Sequence, residues 1–205
     1  MTSNIRNRYV LSFDVGTKNL AYCLISENRK ILLWNVINIS HSSKEGRCNK
    51  LIESLDQINY GTPEKNQKSE DVFRQIEVII ESQMSRNRIM MEVAAQILMY
   101  YAMEKTGIKN NVNSNPPVVI TKVIMYSPKY KLRAYVREPG DEPLKPIKAK
   151  LNTYSYRKNQ AKQHCGIMIK RNQSEEILDI FKKNKAKQDD LSDSFLQAVA
   201  YLMKL

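Results

Sequence analysis

Four acids in three distant stretches are the residues of this chain best suited to chemistry. Asp14 ends the apolar run YVLSFDV, residues 9–15, and is followed within two residues by Gly16. Glu81 follows Val78, Ile79 and Ile80 in EVIIESQ, residues 77–83. Asp190 and Asp193 stand three apart in DDLSDSFLQAVAYLMKL, residues 189–205. A carboxylate among apolar residues is poorly hydrated, and unpaired it is destabilising. Acids gathered together raise one another's proton affinity unless a cation intervenes. Carboxylate oxygens without soft ligands suit Mg²⁺, with Mn²⁺ as the alternative. Two such ions about 3.5–4 Å apart can activate a water and stabilise the leaving oxygen of a phosphodiester. If the four acids converge, Asp14, Glu81, Asp190 and Asp193 are therefore expected to be the metal ligands and catalytic groups of a nuclease. Each also has a plainer use. Asp14 can cap the turn to Gly16, Glu81 can reach solvent from a strand end, and Asp190 can oppose a helix dipole. That dipole fades before Asp193, which it explains less well.

The elements that must position these acids follow from periodicity. Residues 9–15, 20–26 and 31–39 are rich in β-branched and aromatic residues and joined by short polar links, which predicts an antiparallel meander. Alternation puts Val10, Ser12 and Asp14 on one face of the first strand and Tyr9, Leu11 and Phe13 on the other. The same rule groups Ile79, Glu81 and Gln83. Leu51, Leu55 and Ile58 mark a helix over 48–58, and residues 59–71 read as a polar surface loop. Residues 77–83 form a strand, 90–105 a strong helix and 118–125 another strand. From Lys129 to Lys162 the chain is basic, tyrosine-bearing and interrupted by proline, which makes it the least predictable region. Helices over 174–184 and 189–205 close the chain, with Asp189 as the cap of the last. On that last helix Asp190, Asp193, Ser194, Gln197 and Tyr201 share a polar face, and Leu191, Phe195, Val199 and Leu202 must bury against the sheet. The order predicts an α/β fold: a mixed sheet of three antiparallel strands followed by parallel strands, with helices on both faces. Residues 1–205 are read as one domain.

Composition narrows the partner. Lysine plus arginine outnumber aspartate plus glutamate by 33 to 21, a net charge of +12, which favours a polyanion and nucleic acid in particular. Three cysteines and two histidines, widely spaced, indicate neither a disulfide framework nor a zinc knuckle, and Cys23 is expected to be a buried small hydrophobe. No apolar run is long enough to span a bilayer and the start has no apolar signal core, so no membrane partner is expected and an intracellular location is the default.

FDVGTKNLAYCLI, VIIESQMSRNR and KQDDLSDSFLQAVAYL, in that order, resemble the Holliday junction resolvases of the RNase H-like superfamily. Among its branches, the chain most resembles the one shared by poxviruses, related large DNA viruses and fungal mitochondria. The resemblance implies an Mg²⁺-dependent endodeoxyribonuclease that cuts four-way DNA junctions with paired, symmetric nicks. It implies 5′-phosphate and 3′-hydroxyl ends, no nucleotide cofactor, and a homodimer whose two-fold matches that of the junction. It also implies a location in the host cytoplasm or nucleus for a viral member, or in the mitochondrion for a fungal one. Asp14, Glu81, Asp190 and Asp193 match its metal-binding acids, and Gln83 and Arg86 match residues that follow the glutamate. Ser82 stands where relatives often carry arginine. Residues 59–71 and 129–150 look like insertions.

Beside an acid cluster, a lysine can steady the scissile phosphate as a point charge, and Lys158 or Lys162 is the first choice for it. DNA contacts are expected from Gln83, Arg86, Arg88, Arg157, Lys158 and Lys162. Tyr154 and Tyr156 could stack on exposed bases, although a place in the core is the commoner use of tyrosine. Ile97, Leu98 and Tyr101 could form a dimer seam or face the sheet. FDVGTKN also resembles the first phosphate loop of actin-like sugar kinases, but six unclustered glycines do not supply that fold's other loops. A non-catalytic DNA-binding module, or a related nuclease acting on flaps or RNA–DNA hybrids, would carry the same charge and acids.

Overall fold

A computed structural model of the chain describes residues 7–60, 74–83, 87–107 and 118–204. Residues rich in β-branched and aromatic side chains form its five strands: β1 (Asn7–Val15), β2 (Asn19–Ser26), β3 (Ile31–Asn38), β4 (Arg74–Glu81) and β5 (Val118–Tyr126). They build one sheet in the order β3-β2-β1-β4-β5. β1 and β2 pair antiparallel, as do β2 and β3, whereas β1 runs parallel to β4 and β4 to β5. The expected mixed sheet is therefore present. Gly16 closes the β1–β2 turn with its amide donating to the Asn19 carbonyl at 2.9 Å. A Cβ at Gly16 would meet that carbonyl oxygen at 2.7 Å, so the turn requires glycine.

Period-two alternation divides the core between the two faces. Leu11, Phe13, Ile76, Val78 and Ile80 face α1 (Lys44–Asp56) and α2 (Arg88–Lys105). Val10, Cys23, Ile25, Trp34 and Ile79 face α3 (Tyr154–Asn172), α4 (Glu175–Lys183) and α5 (Gln188–Leu202). Fully burying a side chain such as Phe13 or Leu11 stabilises the fold by about 1.5–3 kcal/mol. Ile97 and Tyr101 are fully buried against the sheet and Leu98 packs on the same cluster, so they are core residues.

Local capping sets where helices start. Ser43 accepts from the Gly46 amide at 3.0 Å, so α1 begins four residues before the expected 48. Asn87 accepts from the Met90 amide at 3.2 Å and opens α2. The last helix departs from expectation. Lys187, not Asp189, is its N-cap residue, and Asp189 lies inside the first turn paired with Lys158. The stretch from Lys129 to Lys162, the least predictable in the sequence, holds two regular elements. A 3-10 turn over Pro128–Ala134 follows β5, with proline at its start, and α3 opens at Tyr154 with Thr153 accepting from the Tyr156 amide. The loop expected over 59–71 falls almost wholly outside the described residues. No helix among the described residues is long and apolar enough to cross a membrane.

Candidate active site

β1 and β4 run side by side in register, with Ser12 opposite Ile79 and Phe13 opposite Ile80. One step further places Asp14 beside Glu81 at the carboxyl ends of the two central parallel strands. Both side chains leave the face that carries Val10 and Ile79, which is the face α5 covers. In open α/β sheets, ligands are bound outside the carboxyl ends of strands.

α5 brings the third acid. It is buried along nearly its whole length, with Leu191, Phe195 and Val199 at 1% exposure or less. Its polar face is buried too. Gln197, at 0% exposure, donates through Nε2 to Ser12 Oγ at 3.1 Å and to the Phe13 carbonyl at 3.2 Å. Trp34 Nε1 donates to the Leu191 carbonyl at 3.0 Å, and its ring stacks on Phe181 at 5.6 Å. These contacts lock α5 across β1 and β3 and point Asp193 at the strand ends.

The acids meet around a lysine that sequence reasoning missed. Lys131 Nζ lies 2.7 Å from Asp14 Oδ1, 2.9 Å from Glu81 Oε1 and 3.4 Å from Asp193 Oδ2. Its side chain is only 6% exposed, against 15%, 14% and 28% for the three acids. It sits on the 3-10 turn, inside the segment read as an insertion. A signal was available: a lysine one turn beyond the end of the strand neighbouring β4 must lie at the same end of the sheet as Glu81.

Electrostatics follow from one ammonium shared among several carboxylates. Burial and the charge of Asp14 push the Glu81 carboxyl up to about 8, and Lys131 offsets only part of this. Burial pushes Asp193 up to about 6, with Lys131 opposing and Asp14 adding. Asp190 is raised by burial and by the charges of Asp189 and Asp14. Burial alone would lower Lys131, but Asp14, Asp193 and Glu81 overcome it and raise the ammonium. Glu81, Asp193 and Asp190 rise chiefly through burial, whereas Lys131 rises because the neighbouring carboxylates outweigh its burial.

The remaining expected residues fall into distinct places. Gln83 does not face outward: its Nε2 donates to the Glu81 carbonyl at 3.2 Å and to Glu81 Oε2 at 3.1 Å, and so orients that acid. Asp190 lies next to the cluster, with Lys187 at 4.0 Å. Lys158 is bound to Asp189 and lies 5.0 Å from the Tyr154 ring centroid, so it is not the lysine among the acids. Its charge still lowers the proton affinity of Asp190 and Asp193 from the rim. Lys162 lines an open groove of about 380 Å³ with Lys148, Asn159, Gln163 and Gln188, the first residue of α5. Tyr154 is 68% exposed, so it is no core residue; Tyr156 is half-buried and Arg157 exposed. Arg88 is exposed and pairs with Glu92 at 3.2 Å, and Arg86 lies outside the described residues. Lys129 and Arg133, unmarked in the sequence reading, are exposed on the turn that carries Lys131. Neither histidine joins the acids: His41 bonds Ser43, and His164 stacks on Tyr135 at 4.2 Å, pushed down to about 4 by burial.

No family model matches the sequence, and no curated protein matches it. The fold does have solved counterparts. The yeast mitochondrial Holliday junction resolvase superposes with a TM-score of 0.53 at 17% identity, over 94% of this chain and 78% of that one. The fowlpox virus Holliday junction resolvase gives 0.52 at 18% identity, over 96% of this chain and 98% of that one. The chain shares the fold of these two proteins. In this fold the three acids and Lys131 share one end of the sheet. As they lie, among the described residues no three acid, histidine or cysteine side chains are spaced to hold a metal ion. The donor set nevertheless suits a hard divalent cation. It is all carboxylate oxygen, and one ammonium neutralises one of its negative charges.

Proposed function

We propose that the chain is a structure-specific endonuclease that resolves four-way DNA junctions by paired, symmetric nicks. The observation that carries this reading is the convergence of Asp14, Glu81 and Asp193, from β1, β4 and α5, on one point at the strand ends. Asp14, Glu81, Asp190 and Asp193 would hold Mg²⁺ or Mn²⁺, which would supply an activated water and charge neutralisation at the phosphodiester. Gln83 fixes the rotamer of Glu81, and Gln197 fixes α5 against β1, so the acids are set before substrate arrives. Lys131 brings a positive charge close to where the scissile phosphate would lie, at the rim of the acid cluster. Around it, Lys129 and Arg133 are exposed, as are Arg157 and Lys148 further off, on a chain of net charge +12. Such a rim attracts the closely spaced phosphates of branched DNA. The solved proteins of this fold named above are themselves Holliday junction resolvases by description.

Paired nicking needs two sites related by a two-fold, and we assign the seam to a second copy of this chain at the α1–α2 face. There a groove of about 460 Å³ is lined by Leu51, Ile52, Leu55, Met99 and Met103. Ile52 and Met103 are each 40% exposed and Met99 is 62% exposed. The face lies on the opposite side of the sheet from α5, so pairing there leaves both sites open. The test is Mg²⁺-dependent cleavage of a four-way junction beside duplex, flap and RNA–DNA hybrid. Symmetric nicking of the junction alone supports the assignment. Cutting of flap or hybrid in preference identifies a different nuclease, and binding without cutting identifies a non-catalytic module.

A further inference from the structure

Lys131 is an unusual tenant of its site. Lysine is almost never fully buried unless paired, and here the whole side chain is at 6% exposure. Its ammonium gathers one oxygen from each of three acids on three separate elements, at 2.7, 2.9 and 3.4 Å. Three carboxylate oxygens converging on one point is the arrangement a hard cation seeks. One ammonium faces three carboxyl groups, and Asp190 adds another nearby. An ammonium and a divalent ion cannot both take that point: they compete for the same oxygens and repel each other.

We infer that Lys131 is an exchangeable counter-ion, whose ammonium holds Asp14, Glu81 and Asp193 together in the metal-free protein and gives up that place when a divalent cation binds. The inference rests on the nuclease reading only in taking these acids as cation ligands. Three features of the chain support it. Lys131 sits on a short 3-10 turn between the exposed Lys129 and Arg133, not within the sheet. Its four-carbon stem has several rotatable bonds, so the ammonium can leave without the backbone moving. The rim it would swing towards is where substrate phosphate is expected, so the displaced charge keeps a partner. The exchange lets an acid cluster fold without metal, at the expense of metal affinity.

Two measurements test it, and neither needs DNA. In the wild-type protein, acylation of lysines is followed by peptide mass spectrometry in EDTA and in saturating Mn²⁺. Labelling of Lys131 is expected to rise roughly fivefold or more with Mn²⁺, because a half-released stem ammonium becomes reachable, while exposed Lys122 stays constant. Mn²⁺ binding is then measured by electron paramagnetic resonance for wild type, Lys131→Met and Lys131→Arg. Lys131→Met is expected to bind about tenfold more tightly than wild type, since no ammonium need be displaced, and Lys131→Arg no more tightly than wild type. Constant Lys131 labelling, or equal or weaker Mn²⁺ binding by Lys131→Met, overturns the exchange. The labelling arm uses the natural chain and stands even where the methionine variant folds poorly. A protein that passes both arms yet cuts no DNA overturns the nuclease reading alone; one that cuts junctions but fails both overturns the exchange alone.

Discussion

Gln197 of α5 reaches across to Ser12 of β1, its Nε2 lying 3.1 Å from the serine hydroxyl and 3.2 Å from the Phe13 carbonyl. Ser12 is two residues before Asp14, and Gln197 is one helical turn after Asp193. This buried bridge therefore sets the distance between two of the acids. Gln197→Leu leaves Ser12 without its donor and is expected to destabilise the protein by about 1–3 kcal/mol. Removing both partners in Ser12→Ala/Gln197→Leu recovers much of that, because no buried hydroxyl is then left unpaired. Urea unfolding followed by the fluorescence of Trp34, the single tryptophan, measures it. Equal stability of the single variant and wild type contradicts the bridge.

The acids should separate cutting from binding. Asp14→Asn or Asp193→Asn is expected to lower junction cleavage roughly a hundredfold or more, since loss of a cation ligand removes several kcal/mol of charge stabilisation. Binding of the junction in Ca²⁺ or EDTA should hold steady or tighten, because a negative charge beside the phosphates is gone. Gel-shift and cleavage assays on the same preparations give both values. Unchanged cleavage by Asp14→Asn rejects the catalytic assignment.

Glu81 makes stability depend on pH in an unusual direction. Its folded-state carboxyl is raised to about 8 from an ordinary 4.5 by burial and by Asp14. A raised folded value gives stability that is fully present below the unfolded value and is lost as pH rises through the folded one. Asp193, raised from 3.8 to about 6, acts the same way over a lower window. In EDTA, wild type is expected to lose melting temperature relative to Glu81→Gln as pH rises from about 5 to 8. The difference between the two proteins cancels the paired acids elsewhere, such as Glu77, which Arg8 and Tyr201 pull below the usual range despite burial. A difference independent of pH counts against the raised carboxyl.

The α1–α2 face should control assembly. Ile52→Glu or Met99→Glu puts a charge at the exposed apolar groove and is expected to shift a dimer to a monomer in light scattering after size exclusion. The site lies on the other face of the sheet, so each monomer should keep its fold while paired nicking gives way to single nicks. A protein that stays dimeric in both variants places the seam elsewhere.

Much of the frame was legible because it depends on near neighbours in sequence. Alternation in YVLSFDV and EVIIESQ placed Asp14 and Glu81 on the face shared by Val10 and Ile79. The short links between the first three runs required an antiparallel meander, and three-residue spacing put Asp190 and Asp193 on one side of the last helix. The pattern could also have shown more: Ala161, His164, Cys165, Met168 and Ile169 are the buried stripe of α3, at helical spacing, running from the end of the basic stretch to beyond it.

What the order of residues could not contain is which lysine enters the cluster. Lys131, Lys158 and Lys162 are equally basic and all lie between the second acid and the last two. Their fates differ because of where the backbone sends them. Pro128 ends β5 beside β4 and starts a tight turn that delivers Lys131 between Asp14 and Glu81. Lys158 points from α3 to Asp189, and Lys162, one turn further along, lines a groove with Gln188. Periodicity fixes which face a side chain occupies, because that is a property of one strand or helix. Convergence on a shared point depends on how separate elements pack, and here the deciding contact spans 117 residues between Asp14 and Lys131.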